Sequence, residues 1–298
     1  MKTAAECFPC FLRQALQVSR VCGCGPELQV QTVKRIAAVV AGLDPALSPP
    51  ANARAVYRAL SELTGCADPY LQEKKKSNEQ ALAIVPALRR EIEDSADELQ
   101  MAIRFAIAGN IIDYGAFQTF DIDQALEDSR KKVPAIDHSR VLLDRIDNLR
   151  RGSQVLYLAD NCGEIVYDSL LIEYLFRRGY SLTVAVKDGP IINDALHEDA
   201  LAAGLDRYAR IISNGSRCPG TVLGDCSVEL REIFSTADLV IAKGQGNFES
   251  LSEVDREIFF LLTVKCPVAA RHMAELTGED QALLPGRGEM AVFHSAKK

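Results

Sequence analysis

The fold is decided by residues 154–168, QVLYLADNCGEIVYD. A short apolar run, residues 155–159, leads into Asp160 and Asn161, and a helix-like sequence follows. This order predicts a buried strand, a sharp polar turn and a helix, and it is typical of an open α/β sheet that presents chemistry at the carboxyl ends of its strands. The Asp160 carboxylate and the Asn161 amide oxygen are hard ligands that suit a divalent cation such as Mg²⁺ or Mn²⁺.

The same turn has a second interpretation that needs no metal. Asn161 stands three residues before Glu164, which is the spacing of a helix-capping box. This stretch alone therefore leaves a cap and a cation site equally open.

Composition restricts the class of partner. The chain has 298 residues, of which 48% are hydrophobic and 25% are charged, as in an ordinary globular protein. Its formal net charge is −7, so electrostatic repulsion opposes binding to nucleic acid or to an anionic membrane.

No apolar run approaches the ~18 residues of a spanning helix, and the first residues lack the apolar core of a signal peptide. We therefore expect a cytoplasmic protein whose nine cysteines are mostly reduced.

The first half of the chain, residues 1–150, has the pattern of a helical bundle domain. Apolar residues recur at helical spacing through most of it, most strongly in residues 101–112, and no segment predicts a strand. We expect this domain to cap the cleft of a second domain.

Cys7 and Cys10 form a single CxxC pair in this helical half. A closed zinc site usually shows two such pairs, and a thioredoxin-like site places its pair at a turn between strand and helix. The pattern therefore favours a structural or incidental role over zinc binding or redox chemistry.

Three further polar side chains stand on predicted helices of this half: Asn78, and the i, i+3 pair Asn110 and Asp113. Because a buried polar side chain is costly unless it is paired, these residues either cross-link helices or face the cleft. Gly109 beside Asn110 favours the cleft, since glycine lets another backbone approach closely.

The second half, residues 151–298, alternates predicted strands with predicted helices. The strands are predicted at residues 155–159, 182–186, 210–212, 239–242 and 259–264, with a terminal edge strand at 290–293. The helices are predicted at residues 163–178, 195–203, 227–236, 248–257 and 268–276. This alternation predicts an α/β fold in which a Rossmann-like parallel sheet carries helices on both faces.

The end of each predicted strand is polar. The residues that follow the first four strands are, in order, Asp160 and Asn161; Lys187, Asn193 and Asp194; Asn214, Gly215 and Ser216; and Lys243 to Asn247. In a parallel sheet these positions share one edge, so we expect the side chains to converge on one crevice.

The glycine-rich segment of residues 243–247, KGQGN, stands between a predicted strand and a predicted helix. Glycines let backbone N–H groups turn toward an anion, and the start of a helix favours negative charge. The segment matches neither GxGxxG nor the P-loop spacing, so it predicts an anion site without a dinucleotide or Walker-type signature.

Five motifs, in this order, resemble the damage-control phosphatase family, also called domain of unknown function 89. They are DPYLQEKKKSN (68–78), AIAGNIIDYG (106–115), LADNCGEIVYD (158–168), GPIINDAL (189–196) and IAKGQGNFESL (241–251). The Cys7/Cys10 pair resembles the prokaryotic, CxxC-bearing branch. The resemblance implies a metal-dependent phosphatase with Asp160, Asn161 and Asp194 as ligands of Mg²⁺, Mn²⁺, Co²⁺ or Ni²⁺. It also implies small substrates, such as damaged or surplus sugar phosphates or phosphopantetheine-like compounds.

On this hypothesis Asp160 and Asp194 hold the cation, Lys243 neutralises the phosphoryl oxygens, and Asn110 and Asp113 position substrate or water. Further substrate contacts are expected from Gly244, Gly246, Asn247, Gly215, Ser216 and Asn78. The sequence lacks the DxDx[TV] pattern of haloacid-dehalogenase phosphatases, which favours water over Asp160 as the nucleophile.

Two other functions are compatible with the pattern. A Rossmann-like sheet can host an S-adenosylmethionine-dependent carboxyl methyltransferase, although the usual glycine-rich turn after the first strand is replaced here by Asp-Asn-Cys-Gly. A non-catalytic protein that binds a metal or a metabolite is the other alternative.

Overall fold

The structure, a computed structural model, describes residues 1–111 and 122–296, without the side chains of residues 110, 111, 122–125 and 128. The helices of this part of the chain are α1 (Cys7–Val21), α2 (Pro26–Ala41), α3 (Pro49–Thr64), α4 (Leu71–Glu93), α5 (Glu98–Ile111), α6 (Ile122–Lys131), α7 (Ser139–Asp147), α8 (Glu164–Arg177), α9 (His197–Ala202), α10 (Val228–Thr236), α11 (Gly244–Leu251) and α12 (Pro267–Thr277). The strands are β1 (Ile136–Asp137), β2 (Gln154–Leu158), β3 (Ser181–Val186), β4 (Arg210–Ser213), β5 (Leu239–Lys243), β6 (Ile258–Val264) and β7 (Glu289–Ser295).

The seven strands form one mostly parallel sheet in the order β1-β7-β6-β5-β2-β3-β4. Each neighbouring pair is parallel except β6 and β7, which are antiparallel. The predicted α/β class is confirmed, and strands β2 to β6 lie within one or two residues of their predicted bounds. Strand order reverses between β2 and β5, so the ends of β2, β3 and β5 border a single crevice.

Alternate side chains of β2 enter two different cores, because successive residues of a strand point to opposite faces. Val155 and Tyr157 pack with α4, α5 and α8, whereas Leu156 and Leu158 pack with α10, α11 and α12. The sheet is therefore covered by helices on both faces, as predicted.

Two predictions about strands were wrong. Ile136–Asp137 is a short strand in the half that was expected to be entirely helical, and it pairs with β7. Strand β7 is not an edge strand, because it lies between β1 and β6. Both errors come from pairing between segments far apart in sequence, which local pattern does not reveal.

The N-terminal helices α1, α2 and α3 enclose a third core, which includes Phe11, Ile36, Val56 and Leu60. Helices α4 and α5 share their core with the sheet instead. The division into domains 1–150 and 151–298 stays a prediction. No helix in the described ranges combines the length and apolar character that crossing a bilayer requires.

Candidate functional site

The turn that follows β2 lies against the turn that follows β3. Ala195 N donates a hydrogen bond of 2.8 Å to Asp160 O, and Asn161 pairs with Asp194 in an isolated antiparallel bridge. Cys162 N donates to Asn193 O at 2.9 Å. These backbone contacts bring Asp160, Asn161 and Asp194 to one place at the sheet edge, and all three are buried.

The side chain of Asn161 is oriented by two carboxylates. Its Nδ2 donates to Asp160 Oδ2 at 2.8 Å and to Glu164 Oε2 at 3.0 Å. Glu164 Oε2 also accepts from Asn161 N at 3.4 Å, which is one half of the capping box. Because the amide nitrogen is held by the carboxylates, the amide oxygen is turned away from them.

Helix α11 begins beside the Asp160 side chain. The glycine-rich segment expected to be a loop is the first turn of this helix, which starts at Gly244 and not at residue 248 as predicted. Gly244 has φ +76°, and a Cβ at this position would lie only 1.8 Å from Asp160 Oδ2. Only glycine therefore allows Asp160 to lie against the helix start, where the helix dipole stabilises negative charge.

Lys243 is tied to buried groups in the structure, and its expected contact with substrate stays a prediction. The side chain is completely buried, and Nζ donates to Glu164 Oε1 at 2.6 Å and to Asp168 Oδ1 at 2.6 Å. Its third bond goes to Ala106 O of α5, at 2.8 Å. With its three donors committed, Lys243 joins β5, α8 and α5 beneath the site.

Burial determines the protonation of this buried cluster. It raises the pKa of Asp168 to about 7, although Lys243 opposes the shift. Burial lowers the pKa of Lys243, but the charges of Asp168 and Glu164 outweigh it and the net pKa is raised. Tyr157 Oη completes the cluster by donating to Asp168 Oδ1 at 2.8 Å. Sequence reasoning missed Asp168 and Tyr157; the i, i+4 spacing of Glu164 and Asp168 on α8 was the available signal.

Asn247 and Asn78 were expected to bind substrate, which stays a prediction, and the structure shows the hydrogen bonds that each makes within the protein. Asn247 is fully buried; its Nδ2 donates to Lys243 O at 2.8 Å and its Oδ1 accepts from Thr221 Oγ1 at 2.8 Å. It therefore fastens the start of α11 to its surroundings.

Asn78 fastens α4 to the turn after β2. Its Oδ1 accepts from Gly163 N at 2.6 Å, and its Nδ2 donates to Asp199 Oδ1 at 2.7 Å. A Cβ on Gly163, whose φ is +74°, would lie 2.1 Å from Ser77 Oγ. The helical part of the chain thus holds the turn in place through close packing at a glycine.

Lys187, at the end of β3, is the lysine beside the crevice residues. Its Nζ lies 3.4 Å from Asp194 Oδ2 and donates to Gly220 O at 2.9 Å. Gly220 in turn packs on Gly246, because a Cβ on Gly220 would lie 2.3 Å from Gly246 O. Gly215 and Ser216 lie further along the same edge, where they line a cavity described below.

The remaining predicted residues lie on or after α5. Asp113 is outside the described residues, and Asn110 is described only as part of the helix. The close approach expected at Gly109 is confirmed, since a Cβ there would lie 3.1 Å from Tyr167 Cβ and 3.2 Å from the Glu164 Cα. Helix α5 therefore packs directly on α8 at the site.

The donor set of the crevice fits a hard divalent cation. Asp160 and Asp194 supply carboxylates and Asn161 an amide oxygen, the ligand types that Mg²⁺ and Mn²⁺ prefer. Among the described residues, no group of three or more His, Cys, Asp or Glu side chains is arranged to hold a metal ion. The nine cysteines are free thiols, and burial raises the pKa of Cys7 to about 11.

Comparison with known proteins assigns the family. The sequence model of the damage-control phosphatase ARMT1-like domain matches residues 3–280. The chain belongs to this family. It is 35% identical to a damage-control phosphatase of Pyrococcus horikoshii, over 92% of this chain and 94% of the relative. It is 32% identical to a damage-control phosphatase of Archaeoglobus fulgidus, over 94% and 98% of the two chains.

A solved structure supports the same assignment. The crystal structure of a domain-of-unknown-function-89 protein from Pyrococcus horikoshii matches with a TM-score of 0.85 and 31% identity, over 99% of each chain. The resemblance seen in the five sequence motifs is thereby confirmed.

Proposed function

We propose that this damage-control phosphatase family member is a metal-dependent phosphomonoesterase that acts on a small phosphorylated metabolite. The observation that carries the proposal is the meeting of Asp160, Asn161 and Asp194 at adjoining strand ends. Two archaeal relatives at 32–35% identity are named damage-control phosphatases, which supports the same activity here.

A divalent cation, Mg²⁺, Mn²⁺, Co²⁺ or Ni²⁺, would be held by the two carboxylates and the amide oxygen. When bound, such an ion polarises a phosphoryl group and stabilises the negative charge that develops on it. Gly244 supports this assignment, because only glycine lets the Asp160 carboxylate lie against the start of α11 beside the other two proposed ligands.

The protein's own groups orient these ligands. Glu164 holds the Asn161 amide nitrogen with one carboxylate oxygen and Lys243 with the other. Removal of either partner would free the Asn161 amide to rotate. Glu164 and Lys243 are therefore proposed as positioning residues. The positive charge near the phosphoryl oxygens, first expected from Lys243, is proposed to come from Lys187, which lies beside Asp194.

Water is proposed as the nucleophile in preference to Asp160. Asp160 Oδ2 accepts from Asn161 Nδ2 and lies against Gly244, and the sequence lacks the DxDx[TV] pattern of haloacid-dehalogenase phosphatases. Beryllium fluoride is the direct probe: a stable aspartyl complex on Asp160 would contradict this choice.

The test is phosphate release from p-nitrophenyl phosphate and a panel of phosphometabolites, with each of the four cations and with chelator. We expect release that depends on added cation and that falls at least about a hundredfold in Asp160→Asn. Asp144→Asn, an exposed carboxylate on α7, is the matched control and should retain full activity. Activity that survives Asp160→Asn would contradict the proposal, and so would binding of S-adenosylmethionine in metal-free buffer without phosphate release.

A further inference from the structure

A cavity of about 570 Å³ lies between the helical part of the chain and the loops at the sheet edge. One side is formed by α3 and by the segment that joins it to α4. The other side is formed by residues 188–192, which follow β3, and by Gly215, Ser216 and Arg217, which follow β4. Its volume is within the range that encloses a drug-sized organic ligand.

The cavity adjoins the proposed cation ligands. Ile191 and Ile192 line it, and the chain continues directly into Asn193 and Asp194, with Asp194 N donating to Ile191 O at 3.0 Å. A phosphoryl group at the cation ligands would therefore place its organic substituent at the mouth of this cavity.

The backbone at Ile192 is held in a strained conformation. Ile192 has φ 45°, and among the described residues it is the only non-glycine with a positive φ. A β-branched residue rarely adopts this conformation, and such strain persists only where the surroundings enforce it, often at ligand sites. Ile192 packs against the core of the N-terminal helices at this wall of the cavity.

The cavity has no surplus of positive charge. Each of its three arginines faces a carboxylate that also lines it, in the pairs Arg54 with Asp225, Arg58 with Glu62, and Arg217 with Asp188. A second phosphate or a carboxylate on the ligand would have to displace one of these carboxylates. The charges therefore favour an uncharged organic group.

The rest of the wall is largely apolar. It is formed mainly by Val18, Tyr57, Leu60, Pro69, Tyr70, Pro190, Ile191 and Ile192. A sugar hydroxyl that entered the cavity would lose its hydrogen bonds to water and find few partners in the wall, which costs free energy. A methylene group that entered would lower its free energy by leaving water.

We infer that this cavity binds the organic part of the substrate and selects a phosphomonoester of an uncharged, largely apolar chain over a polyhydroxylated sugar phosphate. The inference rests on the proposed function, because it assumes that phosphoester hydrolysis occurs at Asp160 and Asp194. It adds a specificity pocket whose walls come from both the helical part of the chain and the sheet edge.

The first experiment measures kcat/KM for a series of n-alkyl phosphates from ethyl to hexyl, with the activating cation at saturation. Transfer of one methylene from water to an apolar wall is worth about a fourfold gain, so kcat/KM should rise by about fourfold per methylene until the cavity is filled. Sorbitol 6-phosphate has the same six carbons as hexyl phosphate with five hydroxyls, and it should be at least about tenfold poorer. A flat series, or a preference for sorbitol 6-phosphate, would overturn the inference.

A pair of variants locates the effect. Ala67 is exposed at the cavity, and Ala55 is equally exposed on α3 but outside it. Ala67→Trp should abolish the gain with chain length and lower kcat/KM for hexyl phosphate much more than for ethyl phosphate, because the ring occupies part of the cavity. Ala55→Trp should leave the whole series unchanged. Equal effects of Ala67→Trp on ethyl and hexyl phosphate would place the organic group elsewhere.

The two proposals fail in different ways. If no phosphate ester, ethyl phosphate included, releases phosphate with any of the four cations, both the phosphatase proposal and this inference are wrong. If ethyl phosphate is hydrolysed but the chain-length series is flat, the phosphatase proposal stands and only the specificity pocket is wrong.

Discussion

Lys243 Nζ lies 2.6 Å from Glu164 Oε1, and both side chains are completely buried. The other oxygen of Glu164 holds the amide nitrogen of Asn161, which in turn contacts Asp160. The buried ion pair of Lys243 and Glu164 therefore supports the proposed cation ligands from inside the protein. A buried pair of this kind is expensive to break, because the remaining charge stays in a medium of low dielectric constant.

Lys243→Met is expected to lower the free energy of unfolding by about 3–5 kcal/mol, because Glu164 and Asp168 would remain buried without their cation. Urea denaturation followed by circular dichroism measures this change. Lys131→Met is the matched control: Lys131 pairs with Glu127 at the surface, where ion pairs contribute less than about 1 kcal/mol. Equal costs for the two variants would contradict the structural role of Lys243.

Gly244→Ala tests the contact between the start of α11 and Asp160. Gly278 has nearly the same backbone conformation, φ +75° against +76°, but a Cβ there meets nothing within 4 Å. Both alanine variants should lose about 1–2 kcal/mol of stability from the left-handed backbone. Gly244→Ala alone should also lose phosphatase activity, by about a hundredfold or more, because its Cβ displaces the Asp160 carboxylate. Normal activity in Gly244→Ala would show that this position of Asp160 is not needed.

Asn78→Ala should destabilise the fold by about 2–3 kcal/mol, since it leaves the buried Gly163 N–H without its acceptor and removes the donor to Asp199 Oδ1. Asn148, which is exposed and donates only to Asp144 O, provides the comparison, and its alanine variant should cost less than about 0.5 kcal/mol. If Asn78 contacted substrate instead, its variant would change KM and leave the urea midpoint unaltered.

Stability should depend on pH through Glu249 of α11. Burial raises its pKa to about 7, above the ~4.3 of an unfolded chain. The protonated form thus favours folding; this contribution is complete below about pH 4 and is lost as the pH rises through 7. The free energy of unfolding of the wild type, relative to Glu249→Gln, should therefore fall by about 3 kcal/mol between pH 4 and pH 8. A difference independent of pH would contradict the burial of an ionisable group at this position.

The sheet and the convergence of its polar ends could be predicted from sequence because both follow from local pattern. One short apolar run is followed by Asp160, and another is followed by Asn193 and Asp194. The positions of the strands and of their polar ends can therefore be read from short segments of sequence. The antiparallel pairing of β7 with β6 depends on segments about 30 residues apart, and the β1 pairing on segments about 150 residues apart, so neither is visible locally.

The role of Lys243 could not be predicted for a related reason. A lysine at the end of a strand in an α/β fold normally indicates an anion site, and its sequence neighbours are glycines that suit one. Its actual partners, Glu164 and Asp168, lie on another helix 79 and 75 residues away. Their i, i+4 spacing on a largely apolar helix is a signal of a buried cation partner, but it does not say which lysine or arginine supplies it.

The central claim, that Asp160, Asn161 and Asp194 form one cation site, is tested most directly by titrating Mn²⁺ into the protein by calorimetry. The account predicts one Mn²⁺ per chain in the wild type, with affinity reduced at least about a hundredfold in both Asp160→Asn and Asp194→Asn and unchanged in Asp144→Asn. Unaltered Mn²⁺ affinity in Asp160→Asn and Asp194→Asn would contradict it.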